Sequence, residues 1–216
     1  MSDGKRIGLY GASGSGKSTL MNMLLRPARH LVVFDYLPTR RETAGAEGLT
    51  EVSSLEDLRD AIADGYAAGF RLWYRPPIEG QAEALHKLSL LLWAIQAPRY
   101  DRGREIPQIT LAVDEMSQSF PVASLPRNCR AFYRICSAGR HYRFNLVGAT
   151  QRPAQVNTEF RGNLDARYFL RLTEPADLDA VEKTAGREIA MMVAQMPNHH
   201  FIRQADGRFT TGQTRP

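Results

Sequence analysis

The sequence predicts an α/β fold, a mainly parallel sheet between two layers of helices that closes on a C-terminal β-hairpin. Three observations lead there. Short apolar runs alternate with segments of helical periodicity along the whole chain, the pattern of strand, crossover helix and parallel strand. A glycine-rich turn, residues 11 to 16, separates the first apolar run from the first helical segment. Near the end, two apolar stretches flank Asp206-Gly207, a dipeptide suited to a tight hairpin turn.

The elements follow in order. Strands are expected at Ile7 to Tyr10, Leu31 to Asp35, Phe70 to Tyr74, Ile109 to Asp114, Phe144 to Thr150 and Arg167 to Leu172. Thr19 to Leu25 reads as the first helix. Ser53 with Glu56 has the spacing of a capping box, opening a helix through Leu55, Leu58, Ile62 and Tyr66. Leu85, Leu88, Leu92 and Ile95 make the apolar stripe of the next. Pro126 suits the first turn of a helix carrying Phe132, Ile135 and Cys136, and Pro175 opens one carrying Leu178 and Val181. His199 to Arg203 and Arg208 to Thr210 form the hairpin, so that His199 and His200 fall on opposite faces of a strand and do not share a metal.

With 216 residues and 43% hydrophobic content, the chain can bury the core of one domain, expected to span residues 1–216. The most apolar segment, Leu88 to Ile95, is far shorter than a membrane span, and the first residues are too polar for a signal peptide. A soluble, cytosolic protein is expected. Cys129 and Cys136, about 10.5 Å apart if both lie on one helix, are beyond disulfide reach and read as small buried residues. The net charge is +5, and only four of the 28 basic residues are lysines. Arginine favours bidentate phosphate contacts and hence a nucleic-acid partner; a coding bias with solvated charge accounts for it equally well.

Residues 11–18, Gly-Ala-Ser-Gly-Ser-Gly-Lys-Ser, match the phosphate-binding pattern G-x-x-x-x-G-K-[ST] between a strand and a helix. Gly11, Gly14 and Gly16 allow backbone conformations closed to other residues, so that the N–H groups of Gly11, Ala12, Ser13, Gly14, Ser15 and Gly16 can turn inward on a phosphate. Lys17 reaches the β and γ oxygens, Ser18 supplies a magnesium ligand, and Thr19 continues the helix, whose positive dipole end faces the anion. ATP with Mg2+ is the expected ligand pair.

Ile109 to Val113 ends in Asp114-Glu115. Asp114 is placed to hold the magnesium shell and Glu115 to polarise an attacking water. Gln151, after the run Phe144 to Thr150, is placed to sense the γ-phosphate. Arg140 precedes that strand at its other end, out of reach of its own nucleotide but able to enter a neighbour's site as a trans-acting finger; Arg143 and Arg152 compete for the role. Arg127, Arg130 and Arg134 recur at helical spacing, as contacts to DNA phosphates or as a solvated basic face.

In this order the motifs, Gly11 to Ser18, Leu31 to Asp35, Leu111 to Glu115, Gly139-Arg140, Ala149 to Pro153 and a terminal hairpin, resemble the FtsK/HerA superfamily of P-loop ATPases. Within it the chain resembles the small genome-packaging ATPases of tailless, internal-membrane viruses of the tectivirus kind. The resemblance implies a three-layer P-loop NTPase fold of the ASCE/RecA-like class. It also implies a hexameric ring that pumps double-stranded DNA through its pore, located in the host cytoplasm and at the virion packaging vertex beside capsid-vertex and membrane proteins. It carries nucleotide roles to Lys17 and Ser18, magnesium and water-activating roles to Asp114 and Glu115, the sensor role to Gln151 and the finger role to Arg140. Asp35 follows the second-strand pattern loosely and receives no role.

Two other readings stay open. A small-molecule P-loop kinase of the nucleoside or nucleotide type would use Arg99, Arg102 and Arg104 as a lid, though Glu115 and Gln151 count against it. An assembly or secretion factor would use ATP to drive oligomerisation. No Asn-Lys-x-Asp guanine motif occurs, which disfavours a GTPase.

Overall fold

The structure is a computed structural model describing residues 4–36, 48–123, 125 and 129–214. In chain order its elements are β1 (Arg6–Tyr10), α1 (Lys17–Leu25), β2 (His30–Phe34), β3 (Thr50–Val52), α2 (Leu55–Gly65), β4 (Phe70–Tyr74), α3 (Gln81–Asp101), β5 (Ile109–Val113), α4 (Met116–Ser119), α5 (Ala131–Ala138), β6 (Phe144–Thr150), α6 (Thr158–Gly162), β7 (Ala166–Phe169), α7 (Pro175–Ala185), α8 (Arg187–Ala194), β8 (His200–Ala205) and β9 (Arg208–Gln213).

The strands make one sheet in the order β3-β4-β2-β5-β6-β1-β7-β8-β9. Pairings from β3 through β7 are parallel, and β8 and β9 add on antiparallel. Because β6 lies between β1 and β5, the phosphate loop, the acid pair and Gln151 all emerge at one edge, the carboxyl ends of three adjacent strands. This is where open α/β sheets bind their ligands.

Side chains alternate across the sheet with period two, giving two cores. Val32, Phe34, Leu72, Leu111, Val113, Phe144 and Leu146 face one side, where they meet Leu58 and Ile62 of α2, Leu85, Leu88 and Leu92 of α3, Phe132 and Ile135 of α5 and Val193 of α8. Leu9, Leu31, Val33, Ala112, Val147 and Ala149 face the other, where Leu20, Met21 and Leu25 of α1 cover them. Among the described residues α1 is the only helix in that second core, so the three layers are unequal.

Several local expectations shift. The cap of α2 is Ser54, whose hydroxyl accepts from the Asp57 amide at 3.0 Å and donates to its carboxylate at 2.7 Å; the box sits one residue after Ser53 and Glu56. Pro126 lies outside the described residues, and α5 begins at Ala131, so Cys129 precedes the helix instead of sharing it with Cys136. Both cysteines are buried, and burial drives the Cys136 thiol well above its ordinary range. The last parallel strand runs from Ala166 to Phe169, leaving Leu170 to Leu172 outside it. Pro175 does open α7. The hairpin turns on Asp206 and Gly207 with φ of 51° and 70°, the positive pair that a type I′ turn requires. His199 precedes β8 with φ of 65°, so the two histidines are not strand neighbours. No helix of the described residues is long and apolar enough to cross a membrane.

Candidate active site

A cleft of about 360 Å³ opens at the carboxyl edge, lined by Ala12, Ser13, Gly14, Gly16, Lys17, Ser18, Thr19, Asp114, Glu115, Gln151 and His199. Gly14 and Gly16 adopt positive φ, 71° and 98°, the conformations that turn successive amides inward. Gly11 serves differently. A Cβ there would lie 2.5 Å from Ser15 Oγ and 2.9 Å from Leu170 Cβ, so it is needed for space. Gly11 and Ser15 are buried beneath the loop and do not line the cleft. The loop is anchored by its backbone: the Ala12 amide donates to the Arg171 carbonyl at 2.8 Å, and the His199 amide donates to the Ser15 carbonyl at 2.8 Å. Helix α1 then starts at Lys17 with Gly16 as its cap.

Lys17, Asp114 and Glu115 are all less than a tenth exposed. Lys17 Nζ lies 3.6 Å from Glu115 Oε1, and Gln151 Nε2 donates to the same oxygen at 3.0 Å. Two groups, from the segments that follow β1 and β6, therefore converge on the carboxylate that follows β5.

Glu115 has φ 51° and ψ 57°, a left-handed conformation that costs a non-glycine residue roughly 1–2 kcal/mol. Consecutive residues of a strand point to opposite faces. The left-handed step ends that alternation, and both acids border the same cleft. The Glu115 amide turns back to Asp114 Oδ1 at 3.0 Å, fixing the first carboxylate as it redirects the second.

Ser18 and Asp114 offer one hydroxyl and one carboxylate. Among the described residues no group of three or more His, Cys, Asp or Glu is placed to cage a metal. That sparse, all-oxygen set fits magnesium, which binds through one or two protein oxygens together with phosphate and water.

The arginines separate by position. Arg152, at the cleft end of β6, pairs with Glu174 at 3.2 Å and with the buried Asp177 at 3.5 Å, and so is committed to its own α7. Arg140 sits in the 3-10 turn before β6, Gly139–Tyr142. The seven residues of β6 put roughly 20 Å of extended backbone between it and its own cleft. Arg143 ends that turn at φ 58°. Arg130 and Arg134 are exposed, the first as the N-cap of α5 and the second within it; Arg127 lies outside the described residues. Arg99 is in the last turn of α3, stacked 4.7 Å over the Tyr66 ring. Arg102 and Arg104 follow α3, at the amino end of β5. The trio needed for a kinase lid is therefore at the wrong edge of the sheet.

His199, which the sequence marks only as part of the terminal hairpin, borders the cleft from the side opposite Glu115. Its neighbour in the chain is a strand, and only the antiparallel return of β8 beside β7 brings it to the phosphate loop.

No family model and no curated protein sequence matches the chain. Solved structures do. B204, the DNA-packaging ATPase from Sulfolobus turreted icosahedral virus, superposes with a TM-score of 0.74 over 100% of both chains at 16% identity. The chain shares the fold of a genome-packaging ATPase. The genome packaging NTPase B204 of Sulfolobus turreted icosahedral virus 2, in complex with AMPPCP, gives 0.73 over 99% of this chain and 98% of that one at 17% identity. The cytoplasmic domain of the type VII secretion ATPase EccC from Thermomonospora curvata gives 0.59 over 98% of this chain and 25% of its own at 18% identity. The α/β P-loop architecture implied by the FtsK/HerA resemblance is thus the architecture observed.

Proposed function

We propose that the chain is an ATPase domain whose turnover drives movement of double-stranded DNA, acting as a ring of identical subunits, most specifically a hexamer that packages viral DNA into a preformed capsid. The observation that carries the reading is the convergence of Lys17 and Gln151 on the Glu115 carboxylate beside a phosphate-binding loop. The fold shared end to end with a DNA-packaging ATPase supports the choice of DNA as substrate.

The chemistry follows from these side chains. Amides of residues 12 to 16, with Lys17, hold the β- and γ-phosphates of ATP. Ser18 and Asp114 hold the metal; magnesium, when bound, neutralises phosphate charge and aligns the γ-phosphoryl group. Glu115 accepts the proton of the attacking water as that water adds to the γ-phosphorus and the bridging bond to ADP breaks. Gln151, hydrogen-bonded to Glu115, orients the carboxylate and stands where loss of the γ-phosphate is felt. Arg140 of a neighbouring subunit stabilises charge in the transition state, and Arg127, Arg130 and Arg134 contact DNA phosphates. The site of action is the host cytoplasm and the packaging vertex.

A second reading, ATP-driven protein secretion or assembly, is supported by the likeness to EccC. ATP turnover measured with and without duplex DNA, alongside the assembled mass, separates the two. A motor gives a ring and several-fold stimulation by DNA at low salt; a DNA-independent rate in the assembled ring contradicts it.

A further inference from the structure

The phosphate cleft has two flanks. In the sheet order β5-β6-β1-β7-β8, Glu115 and Gln151 stand on the β5-β6 side and His199 on the β8 side, with the phosphate loop of β1 between them. A triphosphate held by that loop with its γ end toward Glu115 leaves its nucleoside end toward His199.

His199 is built for more than loop support. Its backbone is left-handed at φ 65°, its amide donates to the Ser15 carbonyl at 2.8 Å, and its ring Nδ1 lies 3.2 Å from Oγ1 of the buried Thr214. That hydroxyl also lies 3.3 Å from the His199 carbonyl; when it gives its hydrogen to that carbonyl it faces Nδ1 as an acceptor, and Nδ1 carries the proton. In the neutral imidazole the other nitrogen, Nε2, is then a hydrogen-bond acceptor. Gly16 permits the arrangement, because a Cβ there would stand 2.9 Å from Nδ1 and 2.7 Å from Thr214 Oγ1.

We infer that His199, oriented by Thr214, forms the nucleoside side of the site, its Nε2 accepting a hydrogen bond from a ribose hydroxyl or a base amino group. The inference rests on the ATP-binding reading above. An acceptor at this position discriminates nucleoside triphosphates from bare polyphosphate, a distinction the loop and Lys17 alone cannot make. It also ties the C-terminal hairpin, through residues 199 and 214, to nucleotide occupancy.

The test is equilibrium binding of ATP and of inorganic tripolyphosphate to the full chain and to His199→Asn and His199→Gly. Both replacements tolerate the left-handed backbone, so the amide contact to Ser15 is kept while the imidazole is lost. ATP affinity should fall about tenfold, as for loss of one well-formed hydrogen bond, with tripolyphosphate affinity unchanged. Two analogues locate the donor: 2′,3′-dideoxy-ATP lacks both hydroxyls and purine riboside triphosphate lacks the amino group. At least one should bind wild type and variant equally. An equal loss of tripolyphosphate affinity, unchanged ATP affinity, or a wild-type advantage persisting with both analogues overturns the inference. Wild-type protein that binds tripolyphosphate but not ATP overturns the ATP reading with it, whereas ATP binding that ignores residue 199 overturns this inference alone.

Discussion

In the phosphate cleft at the carboxyl edge of the sheet, Lys17 and Glu115 are loosely tied, 3.6 Å apart, with the glutamate in a left-handed conformation. At the amino edge Arg6 and Asp165 are tightly paired. Arg6 grips Asp165 through Nε at 3.3 Å and NH2 at 3.1 Å, donates its amide to the same carboxylate at 2.8 Å, and spends NH1 on the Cys136 carbonyl at 3.1 Å. The two edges share strands but not purpose. Asp165 is fully engaged within its own chain, as a group that joins β1 to β7 should be. Lys17 and Glu115 keep donors and acceptors that a phosphate and a water can take over, and the strain at Glu115 is of the kind that persists where the surrounding structure over-determines a site.

The largest effect is expected at Lys17. Lys17→Ala removes the only lysine in the cleft and should lower ATP affinity on the order of 100-fold or more, about 2.7 kcal/mol, with the melting temperature little changed, as read by titration calorimetry and thermal unfolding. Unaltered affinity would detach the loop from nucleotide binding.

Arg140 probes whether the amino edge also takes part in chemistry, through a neighbour. Arg140→Ala should hydrolyse ATP poorly by itself and regain part of the activity on mixing with Lys17→Ala subunits, since the two defects then fall at different interfaces. If mass measurement demonstrates mixed rings and the rate does not recover, Arg140 does not act in trans.

Asp165 gives the smallest effect. Burial raises its carboxyl, but the side-chain and backbone hydrogen bonds from Arg6, aided by the charges of Arg6 and Arg140, outweigh burial and hold it below its ordinary value of 3.8. A depressed carboxyl contributes stability that is present above its unfolded value and lost as pH falls through the folded one. The wild type should therefore lose stability below about pH 4 more steeply than Asp165→Asn, by under ~1 kcal/mol because the side chain is 40% exposed. Parallel pH profiles of thermal unfolding for the two proteins would remove this role.

Much of this was legible from residues alone, for identifiable reasons. β4 and β6 begin and end where their apolar runs do, because buried parallel strands leave no ambiguity of face. The phosphate loop and the Asp206-Gly207 turn are written in glycine. Failures came where the local signal was degenerate or the cause was distant. Ser53-Ser54 and Glu56-Asp57 offer the same capping spacing twice, and only packing selects the second pair. β3 is a three-residue edge strand with one buried side chain, too short for periodicity to register. The left-handed turn at Glu115 and the approach of His199 to a loop some 185 residues earlier are products of the tertiary fold, and neither residue type announces them.

Glu115→Gln tests the central claim most directly. The substitution keeps the shape and an oxygen for Gln151 to bond, but removes the base. Measured on the same assembled protein, bound ATP should stay near one per subunit while the hydrolysis rate falls by roughly 10²–10⁴-fold. A variant that binds ATP and turns it over at the wild-type rate would contradict the account.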